Sequence, residues 1–292
     1  MKVTKKNILT ILLFLIPGLL VYTYFVIYPV FESGVLSTYN WTNVANKKFV
    51  GLENYRTTFA SSLFWKSMKN SMIFMLGTTV LQVVIGFFLG YLVYLQLRGY
   101  KVFKVFFFMP NILPSVAVGF IWSKIFSPSM GILKPLMGAL GLGQYYVSPL
   151  AMPNLALMAI ILASVWSACG VQIILFNSGF MSIPGEVIES ATIDGAKGWK
   201  MIRHMIIPMS QETIKMVIIL QLTGALRAFD LVYMMTSGGP NHATEVLPMH
   251  LFVTAFKNFN YGGGSVIAVI IFIISMLITV IMRKALASES LS

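Results

Sequence analysis

Glu186, Glu189 and Asp194 are three of only nine acidic residues in a chain of 292, and all three fall in one short stretch between two long apolar segments. In so acid-poor a chain, a loop that gathers carboxylates is a loop in use. The use is not catalysis by any familiar arrangement. No Ser/His/Asp set or metal-ligand set accompanies the carboxylates, and His204, His242 and His250 are scattered. The phosphate-cradling pattern G-x-x-x-x-G-K-[ST] is absent; Gly195-Ala196-Lys197-Gly198-Trp199-Lys200 does not fit it. The chain therefore does not hydrolyse ATP itself.

The residues around the carboxylates predict two short helices with a fixed bend. Ser182 caps the first helix and Pro184 sits near its first turn, where a missing N–H costs little. Glu186 falls in the same turn and favours the positive end of the helix dipole. Gly195 ends the helix, because glycine reaches the left-handed conformation cheaply. Asp194 helps to cap the second helix, and Pro208 marks the start of the next apolar segment. An ordinary solvated hairpin between two spans would use the same residue types, so physics alone leaves both readings open.

Around this loop, 57% of the chain's residues are hydrophobic and 10% charged, with a mean hydropathy of +0.82. Soluble domains carry about 25% charged residues. The fold class expected is all-α, a polytopic membrane protein with six transmembrane helices. Segments long enough to cross about 30 Å of hydrocarbon run at Ile8–Phe31, Ser71–Leu97, Val105–Phe126, Leu155–Asn177, Glu212–Tyr233 and Ser265–Met282. The first is too long for a signal peptide and lacks a cleavage site after it. Pro17-Gly18 and Pro29 are expected to bend it, and Pro110 and Pro114 to bend the third. The expected organisation is a first helix and outer loop (1–70), a core (71–283) with its loop at 182–208, and a short tail (284–292). The single cysteine, Cys169, lies inside an apolar segment and excludes an intrachain disulfide.

The net charge of +12 marks membrane flanks rather than nucleic acid. Lys2, Lys5, Lys6, Arg98, Lys101, Lys104, Lys197, Lys200, Arg203, Arg283 and Lys284 cluster in short connections on one side. Lys47, Lys48, Arg56, Lys66, Lys69, Lys134 and Lys257 are spread over longer loops on the other. The positive-inside rule puts both termini, and the Glu189–Gly195 loop, in the cytoplasm. Ser164, Trp166, Ser167 and Gln221 fall near the middle of their spans, where hydroxyls, an amide and an aromatic face could meet a passing solute. Ser and Gln also join membrane helices, for about 0.6–2 kcal/mol. Arg227 and Asp230 stand three apart on the fifth segment and can pair. Gly51 permits a turn, Asn54 can cap the next helix, residues 131–136 suggest a short interfacial helix, and Gly262-Gly263-Gly264 reads as a loop.

Three stretches carry a family resemblance. Glu189-Ser190-Ala191-Thr192-Ile193-Asp194-Gly195-Ala196, with Pro208 beyond, resembles the E-A-A-x-x-D-G-A loop of type-1 ABC import permeases, Ser190 replacing an alanine. Phe49-Val50-Gly51-Leu52-Glu53-Asn54-Tyr55 is similar to a stretch of sugar-importing permeases. Phe229-Asp230-Leu231-Val232-Tyr233, continuing through Thr236-Ser237-Gly238-Gly239-Pro240, is similar to the F-D-x-x-Y-x-x-T-x-G-G-P of oligosaccharide permeases. The resemblance spans essentially the whole chain. It implies a bacterial inner-membrane permease subunit working by alternating access. Glu186, Glu189, Ala191, Asp194, Gly195 and Ala196 would couple it to the ATPase, and Ser164, Trp166, Ser167, Gln221 and Arg227 would line the substrate pathway. The implied partners are a second related permease, two copies of a cytoplasmic ABC ATPase that hold the ATP and Mg, an extracytoplasmic sugar-binding protein, the sugar and membrane lipid. No cofactor or metal is expected in this chain. A permease for glycerol-3-phosphate or its diesters, with Arg227 as anion partner, is the nearest alternative. An ion-coupled secondary carrier is the alternative of another class; it would want a buried mid-membrane acid.

Overall fold

The computed structural model describes residues 5–43 and 46–287. Lys2 and the part of the expected tail beyond Ala287 lie outside them. Helix α1 (Lys5–Tyr22) runs through a π-helical turn (Thr23–Ile27) into α2 (Tyr28–Leu36). A hairpin of β1 (Tyr39–Asn43) and β2 (Asn46–Phe49), with Tyr39 opposite Phe49, leads to α3 (Glu53–Ala60). There follow α4 (Ser62–Tyr94), α5 (Tyr100–Ile112), α6 (Ser115–Ile125), α7 (Leu133–Ala139) and α8 (Pro153–Met181). Next come α9 (Gly185–Ile193), α10 (Trp199–Met201), a π-helical turn (Ile202–Ile206), α11 (Ile207–Met209), α12 (Gln211–Ala225) and α13 (Asp230–Thr236). The chain closes with α14 (Leu247–Phe252), a further π-helical turn (Val253–Lys257) and α15 (Tyr261–Ala287).

Among the described residues, four helical stretches are long and apolar enough to cross a membrane, or six if each of two bent pairs is one span. Proline chemistry explains the breaks. Pro114 forces Leu113 into an extended conformation (ψ 137°), and α6 leaves α5 at 100°. Pro110 stays inside α5, so only the second proline of the pair makes the break. Likewise α1 continues unbroken through Pro17. Pro29 and Pro208 cannot donate to the carbonyls of Phe25 and His204, and each of those carbonyls lies in a π-helical turn. Beyond Pro208 the helix of Trp199–Met209 meets α12 at 73°.

Two expectations about the later segments are corrected. The fifth is not one helix to Tyr233: α12 ends at Ala225, and Leu226–Phe229 separate it from α13. Arg227 therefore stands in a break, and no ion pair joins it to Asp230 among the described residues. Asp230 instead opens α13 and accepts a hydrogen bond from Ser115 Oγ at 2.7 Å. Gly262-Gly263-Gly264 is not a loop but the first turn of α15. A side chain on Gly262 would sit 2.1 Å from the Tyr39 carbonyl oxygen, and one on Gly264 2.6 Å from Ala255 Cβ. Close approach, not turning, requires these glycines.

The chain divides into two compact units, residues 1–62 with 250–273, and residues 63–249 with 274–292. In the first, Asn54 does not cap α3, whose N-cap is Leu52. Its carboxamide donates to the carbonyls of Ser37 and Tyr39, both at 2.8 Å, and ties α3 to the hairpin. The ring of Trp41 packs on Tyr261 at 4.8 Å. In the second unit, α4 and α8 run parallel in close contact. A Cβ on Gly86 would lie 2.4 Å from Gln172 Cβ, and one on Gly90 2.8 Å from Phe176 Cβ. α6 and α13 also run parallel: besides the Ser115–Asp230 bond, a Cβ on Gly119 would meet Met234 Cβ at 2.7 Å.

Candidate functional site

Helix α9 is held at both ends by its backbone. Its N-cap is Pro184, and no side chain caps it. Ser182 does not serve it; its Oγ donates to the Gly179 carbonyl at 2.7 Å and finishes α8. At the other end Gly195 adopts φ +84°, as its left-handed role requires. The Ala196 N–H bonds the Ala191 carbonyl at 2.9 Å and the Gly195 N–H that of Thr192 at 3.1 Å, a Schellman closure. Asp194 is the C-cap residue of α9 and does not cap α10, whose N-cap is Gly198.

One side of α9 is sunk in its own chain. Ala191 is buried with Ile183, Met201, Ile202 and Ile206 against Phe87, Phe176 and Phe180, and Ile188 and Ala196 pack on that cluster. The other side is open. Glu186, Glu189 and Asp194 are exposed, and among the described residues their carboxylates have no ion pair or hydrogen bond. Ile193 is 81% exposed and Trp199 59% exposed. A cavity of about 390 Å³ lies beside the helix, lined by Glu186, Val187, Ser190, Ala191, Asp194 and Met205.

The polar residues of the spans are only partly brought together. Ser164, Trp166 and Ser167 share α8. Ser167 Oγ donates to the Ser164 carbonyl at 3.0 Å, and Gln82 Nε2 on α4 donates to the same oxygen at 3.2 Å. Trp166 is partly exposed and meets Trp122 edge to face at 5.7 Å. Gln221 is half-buried on α12, and Arg227 is exposed in the break. Sequence reasoning passed over Gln82; the available signal was an amide in the middle of an apolar run. The side-chain oxygens of Gln82 and Gln172 are buried without a hydrogen-bond partner among the described residues.

The Gly238-Gly239-Pro240 turn is sealed from within. Ser237 and Gly238 take positive φ (49° and 87°). Thr236 and Thr244 share a hydroxyl bond at 2.7 Å, and Thr244 also donates to the Gly239 carbonyl at 2.7 Å. The start of α4 holds the rest: Asn70 Nδ2 donates to the carbonyls of Glu245 (3.0 Å) and His242 (3.2 Å), and Ser71 Oγ accepts the Leu247 N–H at 2.7 Å. Lys66 Nζ donates to the Asn241 carbonyl at 2.6 Å, and His242 pairs with the buried Glu245 carboxylate.

The chain is 33% identical over 273 residues, 93% of each chain, to the multiple sugar-binding transport system permease protein MsmF of Streptococcus mutans. It is 28% identical to the trehalose/maltose transport system permease protein MalF of Thermococcus litoralis, over 93% of this chain and 92% of that one. A chain of a bacterial alginate ABC transporter, solved with an alginate pentasaccharide-bound periplasmic protein, superposes with a TM-score of 0.85 at 18% identity, covering 96% and 94% of the two chains. Residues 82–289 match the model of the binding-protein-dependent transport system inner membrane component, and to that family this chain belongs.

Proposed function

We propose that this chain is a permease subunit of an ATP-driven sugar importer, and that α9 is its docking element for a separate cytoplasmic ATPase. The observation that carries the reading is the two-sidedness of α9. Ala191 and Ile188, with Ala196 just beyond the helix, are anchored in the chain, while Glu186, Glu189 and Asp194 have no partner among the described residues. Ala191 and Ala196 thus act by seating the helix, and Gly195 by closing it. The distribution of Lys and Arg supports a cytoplasmic placement for α9 and both termini. The chain carries one such loop, so a second, related permease completes the pathway.

The relatives named for multiple sugars and for trehalose/maltose support a saccharide as cargo. Ser164, Trp166, Ser167 and Gln221 are the groups of this chain that would meet it, the hydroxyls and amide by hydrogen bonds and the indole against a ring face. Motion of the ATPases, carried through α9 into α8 and α12, would open the pathway to each side in turn. An extracytoplasmic binding protein would deliver the sugar.

The test is gentle purification of the tagged full-length chain from membranes with identification of its companion proteins. Recovery of a P-loop ATPase and a second permease, with ATPase activity raised by oligosaccharide-loaded binding protein, is expected. Recovery of the chain alone, transporting without ATP, would overturn the reading. Stimulation by glycerol-3-phosphate and not by any saccharide would overturn the cargo assignment.

A further inference from the structure

Between Glu53 and Glu186 the chain has no acidic residue. Within that span, Arg98, Lys101 and Lys104 stand at the start of α5, Arg98 and Lys101 exposed and Lys104 half-buried. Among the described residues none of the three forms an ion pair. Their position does nothing for the helix. Cations in a first turn oppose the helix dipole, which favours acids there, and α5 has none.

The same helix is divided along its length. Phe103 and Phe107 pack on Val93, Cys169 and Ile173, and Gly170 of α8 comes so close that a Cβ there would lie 2.6 Å from Phe108 Cα. The opposite stripe, Val102, Val105, Phe106, Met109 and Ile112, is exposed, from 57% at Met109 to 74% at Val102. A cationic collar above an open apolar stripe matches one molecule in charge and in shape: a phospholipid with an anionic head and acyl chains lying along the helix. A soluble acidic partner would satisfy the collar and leave the stripe bare.

We propose that Arg98, Lys101 and Lys104 form a binding site for an anionic phospholipid, its phosphate held by the collar and its chains on the α5 stripe. The proposal does not depend on the cargo or on the ATPase partner.

The full-length chain, with whatever subunits purify with it, is reconstituted in phosphatidylcholine vesicles. Spin-labelled phosphatidylglycerol or spin-labelled phosphatidylcholine is added in trace amount, and the immobilised fraction of each label is measured. The unaltered protein is expected to prefer the phosphatidylglycerol label. R98Q is expected to lower that preference about fivefold, and R98Q/K101Q/K104Q to abolish it. Raised salt should weaken it in the unaltered protein. Three results would overturn the site: unchanged preference in the triple variant, an equal loss in K197Q/K200Q/R203Q, or displacement of the label by inorganic phosphate. Should the triple variant fail to fold, R98Q and K101Q alone decide between these outcomes.

Discussion

The loop around α9 and the loop from Ser237 to Leu247 flank the same pair of helices, α12 and α13, and use their polar groups in opposite directions. In the second, threonines bond to each other and to backbone, and Asn70, Ser71 and Lys66 hold loop backbone atoms. In the first, the backbone closes itself through Gly195, and the carboxylates are left to solvent. Both loops carry motifs readable in the sequence. Only structure separates a motif whose polar groups bond within the chain from one whose carboxylates stay open.

This contrast can be broken by substitution. Asn70→Leu leaves the carbonyls of His242 and Glu245 without their donor, which costs about 1–3 kcal/mol for a buried polar group. A clear fall in melting temperature is expected, with ATPase recovery in the folded fraction unchanged. Gly195→Val forces a β-branched residue to φ +84°, at about 1–2 kcal/mol. That strain is confined to the end of α9, so less ATPase should co-purify while the spans melt as before. Normal transport by this variant would count against α9 as the coupling element. Glu186→Gln with Glu189→Gln touches no intrachain bond. No change in melting is expected, only weaker recovery of the ATPase. A fall in melting as large as that of Asn70→Leu would erase the distinction between the loops.

Much of this architecture was legible because its signals are local. Apolar runs marked the spans, Pro114 marked a break, and the positive φ of Gly195 followed from its place after a short helix. The features that escaped depend on distant neighbours. A run of three glycines reads as a loop until the Tyr39 carbonyl and Ala255 are seen against it. Asn54 has the chemistry of a cap, but the carbonyls of Ser37, at the end of α2, and Tyr39, in the hairpin, claim its amide. Ser182 and Asp194 both lie at helix ends, and each closes the helix before it rather than the one after. Arg227 and Asp230 have helical spacing without a helix to share. Among the polar residues of the spans, Ser164 and Ser167 stood out in the sequence but Gln82 did not, and it reaches the Ser164 carbonyl from α4.

The parallel pair α6 and α13 has a mechanical consequence. Each comes directly after a break in the chain, at Leu113–Pro114 and at Leu226–Phe229, and the two are joined by the Ser115–Asp230 bond and the tight seat of Gly119 on Met234. Two helices so joined form one body: a displacement of either is passed to the other through the Ser115–Asp230 bond and the Gly119 seat.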